Sequence, residues 1–144
     1  MQAIYLLDTN IISELTKPVQ NQRVVQKIFE TQKSSVLSSI MWAEALFGLK
    51  CLPEGKRKDM LTDFYINTVQ KMYTFKDFDI HAASIYSDIK SRLERIGKLA
   101  PDLDMQIASV AIANNLILVT RNVQDFSDIA ENSALMLENW FEEK

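Results

Sequence analysis

The stretch Ala3-Ile4-Tyr5-Leu6-Leu7-Asp8-Thr9-Asn10 decides how the rest of the chain is read. Its five apolar residues lack the period-two alternation of a half-exposed strand, so both faces of this strand must be covered, as they are in a parallel sheet. The run stops at an aspartate. Thr9 and Asn10 then offer capping groups, and Ile11, Ile12 and Leu15 carry a short helix that Pro18 ends.

Similar steps follow along the chain. Val24, Val25, Ile28 and Phe29 fall at helical spacing, and Ser35 to Ser38, around Val36 and Leu37, reads as a second strand. Its trailing serines cap an apolar helix from Ile40 to Lys50. A polar turn at Pro53 to Gly55 leads into a helix with Met60, Leu61, Phe64 and Tyr65 on its apolar stripe, and Tyr73 to Phe75 reads as a third strand. Ile80 to Arg95 is amphipathic, with Ile85, Ile89, Leu93 and Ile96 facing inward and Gly97 as its stop. Pro101 and Asp102 open a helix that runs to Asn114, with Asp102 as the cap. Leu116 to Val119 and Ala134 to Leu137 are the last strands. Strands alternating with helices predict an α/β fold: a mainly parallel sheet of four to five strands, helices on both faces, and residues 1–144 as one domain.

Composition agrees with that reading. A chain of 144 residues, 47% apolar and 24% charged, buries enough surface to need neither disulfides nor a structural metal. Sixteen Lys and Arg against nineteen Asp and Glu exclude a histone-like binder, while leaving local basic patches possible. The lone Cys51 fits a reducing compartment and is read as a packing residue. From Met1 the chain passes into Asp8 without the pattern of a signal peptide, and no apolar run is long enough to span a membrane. The expected location is the cytoplasm.

In parallel sheets the reacting groups gather at the carboxyl ends of the strands. Asp8 stands there, beside the amino end of a helix, where an anion is favoured. Glu44 is the one charge between Val36 and Leu49 and shares a helical face with Ile40, Met41, Phe47 and Gly48, which predicts a partly buried carboxylate. Asp104 occupies the first turn of a helix whose face continues inward through Ile107, Ala108 and Ala111. Thr120, Arg121 and Asn122 follow the strand 116–119, and Thr120 and Asn122 are neutral oxygen donors suited to positioning a water. Asp125, three residues on, reads as part of a polar turn. Three carboxylates meeting at one sheet edge repel one another unless a cation sits among them. Oxygen-only ligands point to Mg²⁺ or Mn²⁺, ions that activate water against phosphate esters.

Other chemistries are poorly supplied. No G-x-S-x-G elbow or phosphate-binding glycine loop is present, and His81, the only histidine, reads as a surface or packing residue.

Leu7-Asp8-Thr9-Asn10, Glu44 in its apolar helix, Asp104-Met105-Gln106-Ile107-Ala108 and Leu118-Val119-Thr120-Arg121-Asn122 before Asp125-Phe126 together resemble the PIN-domain family. With the Glu138-Asn139-Trp140 ending, the chain looks like the VapC-type toxins of bacterial toxin–antitoxin pairs. The resemblance implies a PIN-like three-layer fold and a Mg²⁺- or Mn²⁺-dependent endoribonuclease acting on RNA, with transfer RNA as the expected substrate. It further implies a homodimer inhibited by a VapB-like antitoxin, which alone would contact operator DNA. Asp8, Glu44 and Asp104 match the family's metal-binding acids, while Asn122 stands where a fourth acid is common. On this reading Asp8 and Asp104 anchor the ion, Glu44 binds it or a water on it, and Thr120 or Asn122 orients the attacking water.

RNA requires cations. Lys90, Arg92, Arg95 and Lys98 against Glu94 form one basic cluster, Lys56, Arg57 and Lys58 another, and Arg121 lies beside the acids. Two other readings stay open: a phosphoaspartyl phosphatase or receiver-like protein using Asp8, and a partner-binding module with a degenerate metal site.

Overall fold

The computed structural model describes residues 2–142; Met1, where the N-terminal reading begins, lies outside them. Strand β1 (Tyr5–Leu7) leads into α1 (Thr9–Ile12), which tightens into a 3-10 turn over Ser13–Thr16. After α2 (Gln22–Glu30) come β2 (Ser35–Ser38), α3 (Ser39–Lys50) and α4 (Lys56–Phe64). Wider π-helical turns over Tyr65–Val69 join α4 to α5 (Gln70–Met72), followed by β3 (Phe75–Lys76) and α6 (Ile80–Arg95). Then α7 (Asp102–Ala113), β4 (Ile117–Val119), a 3-10 turn at Val123–Phe126, α8 (Ser127–Glu131) and β5 (Met136–Glu138) complete the chain.

The strands form one sheet in the order β3-β2-β1-β4-β5, with every pairing parallel. Leu6, Leu7, Leu37, Leu118 and Val119 are fully buried, so consecutive residues of the same strand are covered on opposite faces. This is the covering that the unalternated run 3–7 requires. The order places β2 on one side of β1 and β4 on the other, which makes the carboxyl ends of β1 and β4 the switch point where such sheets open a crevice.

Helix starts are set by side chains at those strand ends. The Asp8 carboxylate accepts from the Thr9 N–H at 2.8 Å, and Ser38 Oγ accepts from the Met41 N–H at 3.0 Å. Asp79 caps α6 through the Ala82 N–H. Gly97, at φ 71°, closes α6: its N–H reaches the Glu94 carbonyl and the Lys98 N–H that of Leu93, a pattern that needs the left-handed conformation. Asn115, at φ 54°, turns the chain from α7 into β4 in the same way, with the Leu116 N–H on the Ala111 carbonyl at 2.8 Å.

Several sequence expectations are corrected. The third strand is Phe75–Lys76 rather than Tyr73 to Phe75; Tyr73 is buried ahead of it, and its hydroxyl has no protein partner. Met60, Phe29 and Ile96 are exposed although helical spacing assigned them to buried stripes. Cys51 is exposed at the end of α3 and does not pack in the core. Asp102 does not cap α7: Pro101 holds the cap position, and the Asp102 carboxylate accepts from the Tyr86 hydroxyl at 2.7 Å instead. The helical turns over 123–131 carry too short a pattern to be read from sequence. Among the described residues, no helix is long and apolar enough to cross a membrane.

Candidate active site

A cleft of about 340 Å³ opens at the switch point, lined by Asp8, Thr9, Asn10, Ser13, Glu44, Asp104 and Asn122. The sheet brings the first part together. Leu7 pairs with Val119, so Asp8 and Thr120 leave adjacent strands side by side, with the Asp8 N–H on the Val119 carbonyl at 2.9 Å. Helix α3 starts at the carboxyl end of β2 and carries Glu44 into the cleft, and the first turn of α7 supplies Asp104.

Asp8 is buried and oriented by four donors. Its Oδ1 accepts from the Thr9 N–H (2.8 Å) and the Thr9 hydroxyl (3.3 Å). Its Oδ2 accepts from the Thr120 hydroxyl (2.9 Å) and from Asn10 Nδ2 (3.4 Å). Thr120 is fully buried, and its hydroxyl also accepts from Asn10 Nδ2 (3.2 Å) and from the Asn122 N–H (3.1 Å). One donor and two acceptor sites are thereby all engaged within the protein. In this arrangement the Thr120 hydroxyl orients Asp8. Asn122, exposed on the cleft wall, keeps its side chain toward solvent.

Glu44 departs from expectation in its setting. It is exposed, as are Phe47 and Gly48 on the same face of α3, because that face borders the cleft rather than the core. Partial desolvation, with the Asp8 charge added, still raises the affinity of Glu44 for its proton. Asp104 is raised more strongly, to about 6, first by burial and then by Asp8, Asp125 and Glu44. Asp125 is exposed in the turn after Asn122 and reaches the site through its charge, without lining the cleft.

These carboxylates are in electrostatic conflict, and a cation relieves it. Among the described residues, no three acidic, histidine or cysteine side chains stand close enough to cage an ion by themselves. The donor set nevertheless fits a hard divalent ion. Mg²⁺ takes one or two carboxylates and retains several waters, and this cleft offers only oxygen-bearing side chains with room for that shell.

The basic clusters stand apart from the acids. Lys90 pairs with Asp102 (3.4 Å), Lys98 with Asp128 (3.1 Å), and Arg92 donates to the Asn132 carbonyl. Lys90, Lys98 and Asp102 border a second cavity, of about 200 Å³, that shares no lining residue with the acidic cleft, and Arg95 is exposed on the same helix. Lys58 pairs with Glu54, and Arg57 borders a groove with Thr16, Met60 and Leu61. Arg121 is nearer the chemistry. Its guanidinium lies 4.5 Å from the centre of the Phe141 ring, and its N–H donates to Asn10 Oδ1 at 2.9 Å, next to Asn122. His81 is exposed, as a surface residue should be.

Sequence reasoning missed two polar residues. Asn10 sits inside the hydrogen-bond network just described; its signal was the D-T-N spacing, which places an amide two residues beyond the strand-end carboxylate, in the first turn of α1. Glu14 is buried, its Oε2 accepting from the Asn21 N–H at 2.7 Å and its Oε1 2.9 Å from Lys17 Nζ. Burial opposes its charge, yet that N–H and Lys17 hold its carboxyl below the usual range. Glu14 thus fixes the loop between α1 and α2; an acid between Ile12 and Leu15 was the available sign.

Residues 5–132 match the PIN domain family. The chain belongs to that family. Ribonuclease VapC2 of Rickettsia felis is 29% identical over 138 residues, which cover 95% of this chain and 98% of the relative. Toxin FitB of Neisseria gonorrhoeae is 34% identical over 130 residues, covering 87% and 94%. The solved structure of FitAB bound to an IR36 DNA fragment superposes with a TM-score of 0.88 at 28% identity, covering 98% of each chain. Family membership removes the phosphoaspartyl reading.

Proposed function

We propose that this PIN domain is the endoribonuclease toxin of a toxin–antitoxin pair, dependent on Mg²⁺ or Mn²⁺ and acting on structured RNA, with transfer RNA the expected substrate. The observation that carries the reading is the convergence of Asp8, Glu44 and Asp104 on one cleft of oxygen donors at the switch point of a parallel sheet. The similarity to a ribonuclease and to a toxin over nearly the whole chain supports it.

A divalent cation bound in this cleft supplies an activated water and stabilises charge on the attacked phosphate. Asp8 and Asp104 would hold that ion, and Glu44 would hold it or a water bound to it. Thr120 and Thr9 keep the Asp8 carboxylate in one orientation. Asn122, which lines the same cleft, would orient the attacking water.

The partner is a VapB-like antitoxin that covers the cleft, with DNA contacted through the antitoxin; the similarity to FitAB, solved bound to a DNA fragment, supports a DNA-linked assembly. A cytoplasmic homodimer completes the proposal. The test is to map RNA ends after brief expression of the chain and of its Asp8→Asn variant. New ends at a few defined positions in one RNA class, absent with Asp8→Asn, are expected; the same ends from both proteins would remove the assignment.

Among the candidate RNA-binding cations, Arg121 is the one beside the cleft, and its ring contact holds the guanidinium in place. Arg121→Ala is expected to weaken binding of a non-cleavable RNA roughly tenfold and to lower the slope of log affinity against log salt by about one. Charge reversal at Lys90 and Arg92 is expected to leave both quantities unchanged, because these side chains are engaged away from the cleft. Fluorescence anisotropy between 50 and 300 mM KCl measures the slopes, those values spanning the range over which counterion release is read.

A further inference from the structure

Asn10 has no role in the scheme above, yet its side-chain amide touches Asp8, Thr120 and the main chain of Arg121. Its Nδ2 donates to Asp8 Oδ2 (3.4 Å) and to the Thr120 hydroxyl (3.2 Å), while its Oδ1 accepts the Arg121 N–H (2.9 Å). One planar group therefore ties the end of β1 to the segment leaving β4. The acceptor end is fixed by a backbone donor, so the donor end must face the carboxylate. Helix α1 makes this reach possible, because it begins at Thr9 and its first turn carries residue 10 back over the strand end.

We propose that Asn10 is a positioning residue for the divalent-metal site, setting the direction of the Asp8 carboxylate and tying it, through the main chain of Arg121, to the segment that brings Asn122 to the cleft. The inference rests on the nuclease reading above. Asp8 Oδ2 is met by only two donors, and Thr120 cannot compensate for loss of the other: its single proton is already on Asp8 and it would itself lose an Asn10 contact. Removing the amide leaves the Thr120 hydroxyl as the one remaining donor to Oδ2 among the described residues and cuts the side-chain tie between the end of β1 and the main chain of Arg121. Partners that orient a metal ligand typically carry ten- to hundredfold in metal affinity.

The experiment is Mn²⁺ titration of the purified full chain by calorimetry, with wild type, Asn10→Ala and Asp8→Asn in parallel, and cleavage followed over the same Mn²⁺ range. Asn10→Ala is expected to bind Mn²⁺ ~10- to 100-fold more weakly, to shift the Mn²⁺ activation curve by the same factor, and to recover most of kcat at saturating Mn²⁺. A purely structural loss would not be recovered by the ion. Wild-type Mn²⁺ affinity and an unshifted activation curve in Asn10→Ala, alongside an inactive Asp8→Asn, overturn the role of Asn10 alone. An Asp8→Asn protein that binds Mn²⁺ and cleaves like wild type overturns the nuclease site itself. If Asn10→Ala does not fold, Mg²⁺ titration of the ¹⁵N-labelled wild type decides: the Asn10 side-chain NH₂ resonances should shift and saturate together with the Asp8 backbone amide. NH₂ resonances that stay in place while the Asp8 amide shifts overturn the proposal.

Discussion

Asp104→Asn should abolish RNA cleavage, by about 10³-fold or more, and at the same time make the metal-free protein more stable. The activity loss follows from removing one of the two carboxylates that anchor the ion, whose contribution to the transition state is several kcal/mol. The stability gain follows from the site's own repulsion. Asp104 binds its proton more tightly in the folded chain, at about 6, than its unperturbed value of 3.8, because of burial and then Asp8, Asp125 and Glu44. Between those two values the folded state holds more protons than the unfolded one, so stability falls as pH rises through the window and the whole penalty is present at pH 7. Discounted for the solvent that reaches this side chain, the penalty is about 1–2 kcal/mol. The Asn variant should melt about 3–6 °C above wild type at pH 7 in EDTA and converge with it near pH 4. Added Mg²⁺ should raise wild type and leave the variant nearly unmoved. Scanning calorimetry at the two pH values, with and without Mg²⁺, checks each part; equal melting points in EDTA at pH 7 would show that the carboxylates do not strain the fold.

Trp140→Ala carries the largest expected cost in stability, about 3–5 kcal/mol. The indole is 3% exposed, packs edge-on against Tyr5 with ring centres 5.4 Å apart, and donates its N–H to Glu138 Oε1 at 3.0 Å. No neighbouring side chain fills so large a void, and the edge-on contact with the β1 residue is lost with it. A drop of about 10 °C in melting temperature is expected. A functional effect should accompany it. The next residue, Phe141, stacks under Arg121 and is itself pinned by its N–H on Asn139 Oδ1 and by Arg23 Nη1 on its carbonyl. Freeing position 140 should release that ring and weaken RNA binding as Arg121→Ala does. Trp140→Phe should restore most of both, and urea denaturation with anisotropy on the same samples measures them. A variant that loses stability but binds RNA like wild type would show that Arg121 is held without Phe141.

Both predictions depend on the divide between what pattern carries and what packing decides. The unalternated run at 3–7 could only be a doubly covered strand, because a strand with one wet face cannot hold consecutive leucines, and Leu6 and Leu7 are both fully buried. Asp8 and Ser38 were legible as turning points because a strand must end where a helix's free N–H groups find an acceptor. Asp102 misled for the same reason. A proline took the cap, and a hydroxyl from α6, sixteen residues earlier, claimed the carboxylate. The stripe through Met60 and Ile96 misled because period alone cannot tell a face that meets a neighbour from one that meets water.

The sequence by itself determined that the fold is a parallel α/β sheet and which acids stand at its carboxyl edge. Local rules of strand covering, capping and charge act over a few residues, and these decide both. The tertiary structure alone decided what each polar group does. Strand order laid β4 against β1, placing the Thr120 hydroxyl against both the Asp8 carboxylate and the Asn10 amide across more than a hundred residues of chain. It turned the Glu44 face of α3 toward a cleft rather than the core and drew Lys90 and Lys98 onto acids elsewhere. Hydrogen bonds and ion pairs are settled by which groups come within about 3 Å of one another, and that distance is a property of packing, which no local spacing encodes.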